Sequence, residues 1–406
     1  MKNLELAAML LMAPALCGDW PQWRGPARDG VVASFREPAA WPERLTRKWR
    51  ITVRLGHSSP VYAAGRIYVF SRQQDREVVS SVSPEDGKIL WSQSYPAPYK
   101  MNPAAVKHGE GPKSTPVFAG GKLYTLGISG ILSSFDGASG AVRWRKEFSK
   151  QFKETSPLFG TAMSPVVDRG LLIAHVGGND DGALAAFDAE SGEVRWSWKG
   201  DGPGYTSPVI VELAGGRQVV TQSQQNIVGV DAGSGALLWK IPFTTPYVQN
   251  IVTPIVYRDM LIFSGLSKGM MAVAVSKTGG QFSTKEIWKT QDASMYMNSP
   301  VLKGDLLFGF SHKNKGQFFC LDAATGATKW IGEPRQGDNA AIVVAGQALL
   351  LLKDDGELIV ARPSAKGFGA VRRYTVAESP TWAHPLVLDG GIAIKDLDSL
   401  ALWNRR

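Results

Sequence analysis

The sequence predicts an all-β fold, an eight-bladed β-propeller built from four-stranded antiparallel blades. Two short sequence phrases alternate along the chain, and the units that they define begin roughly every 41 to 56 residues, which suits four strands and their turns. The chain contains 44 Gly and 24 Pro without a collagen period, as many short strands joined by tight turns require. Apolar and polar residues alternate with period two, as in Arg66–Phe70, and no long helical pattern competes with this alternation.

The first phrase predicts the turn and the outer strand of each blade. It begins with an apolar pair and Asp, continues through small or polar residues to Gly, and ends in Trp. Asp accepts hydrogen bonds from the amides that follow it, Gly permits the turn, and Trp buries a large flat surface between blades. Clear copies end at Trp144, Trp196, Trp239 and Trp330, a looser copy ends at Trp91, and a degraded copy ends at Trp288.

The second phrase predicts the innermost strand of each blade. It consists of Ser or Thr, then Pro, then an apolar strand. Proline lacks a backbone donor, so this strand must lie at an edge where no donor is needed, such as the edge facing a central channel. Copies begin at Ser59, Thr115, Ser164, Ser207, Thr253 and Ser299, and weaker copies at Ala340–Ile342 and His384–Leu386.

Counting these phrases predicts the number of blades and the way the ring closes. Eight inner-strand phrases are present, and seven are followed by an outer strand that ends in Trp or, in the seventh unit, Tyr374. The eighth unit begins near Thr381 and has no room for its own outer strand before Arg406. The orphaned strand Leu45–Arg50, which carries Trp49, can complete that blade and remove the open edge. We therefore predict a propeller domain over residues 45–406.

The N-terminus predicts an exported protein. Residues 1–18 have a basic start, a short apolar run and small residues before Asp19, as in a secretory signal peptide. Cleavage is expected near Cys17 or Gly18, and lipidation of Cys17 is the alternative, although Leu16 precedes it where a small residue is expected. Residues 19–44 are expected to pack on the side or base of the propeller through Trp20, Trp23 and Trp41, and a partner-binding surface is the alternative.

Charge and cysteine content restrict the other function classes. The formal charge of +9 is spread along the chain without a run of five basic residues, which favours a solvated surface over nucleic-acid binding. Cys320 lies in an apolar run and predicts a buried, inert thiol. No stretch is long and apolar enough for a transmembrane helix, and we expect a monomer.

The Asp–Gly–Trp phrase resembles the tryptophan-docking motif of the PQQ-like propeller repeat, over about residues 45–406. Asp19–Pro26 and Gly56–Pro60 resemble segments of secreted bacterial members of that group. Such proteins are often described as similar to BamB, a scaffold subunit of the outer-membrane β-barrel assembly machinery. The resemblance implies a non-catalytic scaffold with protein partners in the periplasm or at the cell surface. The five histidines show no metal-ligand spacing, and no nucleophile elbow or phosphate loop occurs in a credible context.

Family members that use the quinone PQQ suggest a second hypothesis, an oxidoreductase. The resemblance implies that such an enzyme holds calcium with Glu, Asn and Asp side chains and has a disulfide between adjacent cysteines over the cofactor. Cys17 and Cys320 are not adjacent, and the first is expected to be removed with the signal peptide. We therefore expect neither cofactor nor metal.

A third hypothesis is a pocket for a saccharide or another small ligand at the mouth of the channel. Residues just before or at the start of the inner strands should point there, and aromatic, amide and imidazole groups suit a polar ligand. Alternatively, these side chains bond the inner-strand backbone or channel water. The candidates are His57, Lys113, Tyr205, Asn250, Asn298, Asn339, Trp382 and His384.

Overall fold

The computed structural model describes residues 18–405 of the chain. Most of the expected signal peptide, including Cys17, and the terminal Arg406 lie outside the described residues. Within the described part, eight separate sheets of antiparallel strands form the blades, which confirms the predicted eight-bladed all-β propeller. Two strands precede the first inner strand in the chain, β1 (Val31–Val32) and β2 (Thr46–Thr52).

The first four blades follow one another along the chain. Blade 1 contains β3 (Val61–Ala63), β4 (Arg66–Gln73), β5 (Arg76–Val82) and β6 (Ile89–Pro96). Blade 2 contains β7 (Val117–Ala119), β8 (Lys122–Leu126), β9 (Leu132–Asp136) and β10 (Val142–Lys146). Blade 3 contains β11 (Val166–Asp168), β12 (Leu171–Gly178), β13 (Asp181–Asp188) and β14 (Val194–Trp198). Blade 4 contains β15 (Val209–Leu213), β16 (Gly216–Gln222), β17 (Asn226–Asp231) and β18 (Leu237–Pro242).

The remaining blades complete the ring. Blade 5 contains β19 (Ile255–Tyr257), β20 (Met260–Gly265), β21 (Gly269–Thr278) and β22 (Gln281–Thr290). Blade 6 contains β23 (Val301–Lys303), β24 (Leu306–Ser311), β25 (Gln317–Asp322) and β26 (Thr328–Ile331). Blade 7 contains β27 (Ala340–Ala345), β28 (Ala348–Lys353), β29 (Glu357–Arg362) and β30 (Gly369–Thr375). Blade 8 contains β31 (Leu386–Leu388), β32 (Gly391–Lys395) and β33 (Ser399–Asn404), and β2 is its outer strand.

The connections divide the ring into two faces. The mouth face, as we name it, carries the connections from the outer strand of one blade to the inner strand of the next. The base face carries the hairpins that join each inner strand to the second strand of its blade. The three short 3-10 helices found within residues 18–405 all lie in loops of the mouth face, at Pro103–His108, Pro246–Val248 and Lys313–Lys315.

The hydrophobic core lies between neighbouring blades. Each cluster of buried apolar residues draws its members from adjacent sheets, and the largest joins blades 7, 8 and 1 with residues of the N-terminal segment. Each sheet is therefore covered on both faces, which explains why β28 is buried along its whole length.

The docking tryptophans join each blade to the next one. The indole N–H of Trp91 donates to Gly137 O of blade 2 at 3.0 Å, and its ring covers Gly140. A β-bulge places one extra residue immediately before the tryptophan in each outer strand that carries one. Trp49, Trp144, Trp196 and Trp288 make equivalent contacts with the turn of the following blade.

Two degraded phrases change this docking contact. Trp239 donates to Gln218 Oε1 within its own blade, because β21 and β22 of the next blade extend into a long hairpin without the usual turn. In blade 7 the strand register places Arg372 at the position of the tryptophan. Tyr374 lies two residues further along and donates to Pro42 O at 2.6 Å, so it docks the N-terminal segment instead of a neighbouring blade.

The Ser or Thr of the inner-strand phrase links the blades around the channel. The backbone N–H of this position donates to the hydroxyl of the equivalent residue in the next blade. Five such bonds have lengths of 2.9 to 3.2 Å, and one of them, from His384 N to Ser59 Oγ, crosses from blade 8 to blade 1. The phrase thus combines a proline, which has no backbone N–H to satisfy, with a hydroxyl that accepts a hydrogen bond from the inner strand of the neighbouring blade.

The orphaned tryptophan strand forms part of the last blade. Strand β2 pairs antiparallel with β33 from Thr46↔Asn404 to Thr52↔Ser399. Its Trp49 is buried and donates to Pro84 O in blade 1 at 3.1 Å. One strand from the beginning of the chain therefore contacts both the last blade and the first.

The N-terminal segment does not pack only on the side or base of the propeller, as the sequence had suggested. Residues 19–32, which we call the plug, contact residues in or just before the inner strands of seven blades and so occupy the central channel. Trp20 pairs with Tyr62 in blade 1, Pro21 O accepts from blade 2, and β1 pairs in parallel with β27 in blade 7. The side chains of Trp23, Arg24 and Arg28 contact the other four blades, and Trp23 alone contacts two of them.

Residues beyond the plug return along the base to the outer side of the ring. Phe35 packs beside Gly346 in the base hairpin of blade 7 and stacks on Trp41, with ring centroids 6.3 Å apart. Only this second half of the segment matches the expected packing. The plug escaped prediction because its partners are backbone carbonyls, which carry no sequence signal.

A buried carboxylate lies between blades 1 and 2. Glu77 is fully buried, and its Oε1 accepts from Ile128 N at 2.7 Å. Gly127 packs against the carboxylate and leaves no room for a side chain there. Burial raises the pKa of Glu77 to about 7.

Deleting residues 45–52 should destabilise the whole ring, because blade 8 loses its outer strand and blade 1 loses Trp49. We expect the melting temperature to fall by about 10 °C or more in thermal unfolding monitored by circular dichroism. Lys48→Ala is the control, since Lys48 makes only an exposed ion pair with Glu85. An unchanged melting temperature after the deletion contradicts the role of β2 in closing the ring.

Glu77→Gln should change how stability depends on pH. The folded state holds the Glu77 proton more tightly than the unfolded chain, so wild-type stability is lost as pH rises from about 4.5 through about 7. The amide of the variant carries no such proton, and the variant should gain about 1–3 kcal/mol relative to wild type between pH 4.5 and pH 8 in urea titrations. Glu85→Gln, at an exposed position, is the control. A difference that does not depend on pH contradicts the assignment.

Candidate functional site

A pocket of about 390 Å³ opens at the centre of the mouth face. We call it the mouth pocket. Its volume falls in the range that holds one small ligand. Residues of the blade-to-blade connections supply much of its wall: Ala104, Ala105, His108, Phe159, Tyr247, Gln249 and Tyr296. Leu266 from the hairpin between β20 and β21 adds to the wall, and Trp23 of the plug also lines the pocket.

The rest of the lining follows one register of the repeat. Seven blades contribute the residue two positions before the Ser or Thr position of the inner-strand phrase: His57, Lys113, Ala162, Tyr205, Ile251, Met297 and Trp382. The phrase residues Ser207, Thr253 and Ser299 also line the pocket. Extended backbone points side chains two residues apart in the same direction, so both positions face the channel axis.

Four of the eight residues that the sequence suggested line the pocket, and the other four do not. His57, Lys113, Tyr205 and Trp382 share the lining register and come together in the mouth pocket. Ala162, Ile251 and Met297 were missed because their side chains carry no polar chemistry, although the same register identifies them. Trp23 and His108 lie outside the repeat and could not be found from it.

The other four suggested residues lie outside the pocket lining. Asn250 is buried one residue out of register, and its amide donates to the carbonyl oxygens of Ser223, Gln224 and Phe243. Asn298 donates to Asn339 Oδ1 at 3.2 Å, and both side chains are buried. The Asn250 contacts agree with the alternative that such side chains bond the backbone, whereas Asn298 and Asn339 bond each other.

His384 contacts the plug below the pocket. Its ring meets the ring of Trp23 edge to face, with centroids 4.5 Å apart. The indole N–H of Trp23 donates to Thr253 Oγ1 at 2.9 Å, so blades 5 and 8 both hold this side chain. Trp23 forms the floor of the mouth pocket.

Two buried arginines hold the plug in the channel. The Arg28 guanidinium donates to Ser164 O at 2.8 Å and to Pro165 O at 2.9 Å. Arg24 donates in the same way to Ser299 O and Pro300 O on the opposite side of the ring. Burial lowers the pKa of Arg28 to about 9 and that of Arg24 to about 10, and both stay charged at neutral pH. The two guanidinium groups therefore donate to backbone carbonyls that the inner strands direct into the channel.

The electrostatics of the pocket wall come from two neutral imidazoles and one ammonium group. Burial lowers the pKa of His57 to about 3 and that of His108 to about 4, so both rings are neutral at pH 7. His57 Nε2 has no hydrogen-bond partner among the described residues. Burial lowers the pKa of Lys113 to about 8, and its Nζ donates to Phe159 O at 2.8 Å.

The lining residues do not fit the calcium and quinone that the resemblance to PQQ-dependent enzymes implies. No carboxylate lines the mouth pocket, and the described residues contain no cluster of three or more His, Cys, Asp or Glu placed to hold a metal. Cys320 is buried in β25, away from the lining, and has no adjacent cysteine. We therefore assign no step of chemistry to that cofactor.

Arg28→Met should loosen the plug, because it leaves two inner-strand carbonyls without their donors. We expect amide hydrogen exchange across residues 20–32 to accelerate at least tenfold, while exchange in β28 stays unchanged. Arg44→Met, at an exposed position in the same segment, is the control and should leave both rates as in wild type. Equal plug exchange in the Arg28 variant and wild type contradicts the anchoring role.

Solved structures share this fold at low sequence identity. BamB from Moraxella catarrhalis has a TM-score of 0.60 at 16% identity, and the alignment covers 89% of this chain and 99% of that chain. Quinohemoprotein alcohol dehydrogenase from Comamonas testosteroni has a TM-score of 0.66 at 15% identity, with 95% and 80% covered. These likenesses show the fold. Among residues 18–405, no helix has the length and apolar character needed to span a membrane.

Sequence comparison extends the likeness to a family. The outer membrane protein assembly factor BamB of Shewanella oneidensis is 25% identical over 253 residues, which is 60% of this chain and 62% of that relative. The family model described as outer membrane protein assembly factor BamB matches residues 74–332, from blade 1 to the end of blade 6. The matched region contains most of the docking tryptophans and confirms the resemblance. The chain belongs to the BamB-like family of PQQ-like propellers.

Proposed function

We propose that this protein is a non-catalytic, exported scaffold that binds a protein partner of the outer-membrane assembly machinery through its mouth face. The observation that carries the proposal is the distribution of exposed apolar side chains on that face. Val106, Leu158 and Tyr247 are 62%, 48% and 75% exposed, and all three lie in blade-to-blade connections around the mouth pocket. Leu55 adds a fourth exposed side chain from the connection between blades 8 and 1.

The outer strands carry exposed apolar residues of a different kind. They are spread over six blades around the circumference, and only Ile89 and Leu90 share a strand; the others are Val142, Val194, Leu237, Ile287 and Ile331. Single exposed apolar residues are ordinary on a protein surface, whereas a group around a concave, aromatic pocket is typical of interaction sites. The mouth face therefore supports partner binding better than the circumference does.

The family supplies the class of partner. BamB relatives are named for outer-membrane protein assembly, and the predicted signal peptide agrees with a location in the periplasm. We propose that the chain acts there as a monomer. The mouth pocket lacks the ligand set of a quinoprotein, so we do not propose a dehydrogenase.

A photoreactive amino acid at Val106 should capture subunits of the outer-membrane assembly machinery in the native cell envelope. The same amino acid at Val194 is the matched control, because both positions are exposed and apolar but only Val106 lies on the mouth face. We expect these subunits among the Val106 crosslinks, identified by mass spectrometry, at about tenfold the Val194 yield. Equal capture at both positions, or no assembly subunit at Val106, contradicts the proposal.

A further inference from the structure

The mouth pocket contains a cation without a counter-ion. Lys113 is the only charged residue in the lining, and its Nζ has no ion-pair partner among the described residues. An ammonium group has three donors, and the bond to Phe159 O uses one of them. A partly buried cation in a pocket without acidic residues favours an anion as its partner.

The neighbouring groups do not neutralise this charge. His57 and His108 are neutral at pH 7, and Lys107 on the outside of the same wall is already paired with Asp338. The phenols of Tyr205 and Tyr296 stay protonated because burial raises the pKa of each. One positive charge therefore faces the cavity.

The remaining lining selects for a flat, apolar ring. Trp23 forms the floor, and Trp382 stands on the wall with its ring 4.6 Å from that of His108. Phe159 and Tyr205 pair at 6.2 Å beside Lys113. Aromatic surfaces arranged around a small cavity bind planar rings by stacking and edge contacts.

We propose that the mouth pocket is a binding site for a small aromatic carboxylate, whose ring packs against Trp23 and whose carboxylate pairs with Lys113. The site differs from a quinone and calcium site, because no carboxylate lines it and a lysine supplies its charge. The proposal goes beyond the scaffold role, which depends on the rim of the face and not on its cavity.

Isothermal titration with three indole compounds tests the proposal. Indole-3-acetate carries the ring and the carboxylate, indole-3-acetamide is its neutral analogue, and tryptamine is a cation. We expect one site for indole-3-acetate at pH 7, with an affinity at least tenfold above that of the amide and no measurable binding of tryptamine. Equal affinity for acid and amide, tighter binding of tryptamine, or no saturable binding of the acid overturns the proposal.

Variants assign the contacts within the pocket. Lys113→Met should reduce the preference for acid over amide to about one, with the affinity for the amide unchanged within twofold. Lys107→Met is the matched control, since it removes a cation from the same wall outside the cavity and should keep the preference. Trp23→Leu should weaken both ligands. A preference retained in Lys113→Met contradicts the assigned pairing.

The pH dependence of the wild-type protein gives a second test that needs no variant. Lys113 loses its proton near pH 8, so the preference for the acid should decline between pH 7 and pH 9. Lys395, which burial also brings to a pKa of about 8, lies behind His57 and donates to Gly56 O. The Lys113→Met profile separates the two lysines, because a decline that persists in this variant would come from Lys395 and contradict the proposal. Binding of PQQ that requires calcium also contradicts it.

Discussion

The free inner edge of each blade is the constraint on which the rest of the structure depends. Each blade is a separate sheet, so its outer strand opens to solvent at the circumference, while its inner strand faces the channel with backbone groups that no neighbouring strand pairs. Three features remove or satisfy these unpaired backbone groups. Proline removes a donor, the neighbouring Ser or Thr accepts a donor from the adjacent blade, and the plug supplies donors to carbonyls that remain. In blade 7 the strand register puts Ile342 where the other blades have Pro, so the inner strand keeps its donors, and β1 pairs with it.

Sequence reasoning reached the fold because the repeat is local. The Asp–Gly–Trp and Ser/Thr–Pro phrases each contain the residues that determine one turn or one strand, so counting them predicted eight blades. The interblade role of the Ser59 hydroxyl could not be predicted in the same way, since its partner lies in another blade. The register of blade 7, where Arg372 and not Tyr374 aligns with the tryptophans, depends on a bulge that the sequence does not mark.

The candidate site was only half predictable for a related reason. His57, Lys113, Tyr205 and Trp382 could be found because they precede the inner strands in a fixed register. Asn250 and Asn298 share their chemistry but lie out of register, and their side chains are turned to backbone or to one another. Trp23 could not be placed, because the channel that receives it exists only after the distant blades of the ring have assembled.

The plug makes the mouth pocket a composite of two parts with separate sequence constraints. Many wall residues lie just before the inner strands of the blades, so a substitution in the wall also affects an inner strand. The floor is carried by a short segment that enters from the base and is fixed mainly by Arg24 and Arg28. Exchanging that segment between relatives would therefore change the floor of the pocket without changing the residues of its wall. For protein engineering, the plug is a short segment whose sequence can be redesigned apart from the repeats. A redesigned segment has to retain Arg24 and Arg28, because their guanidinium groups bind carbonyls of the inner strands.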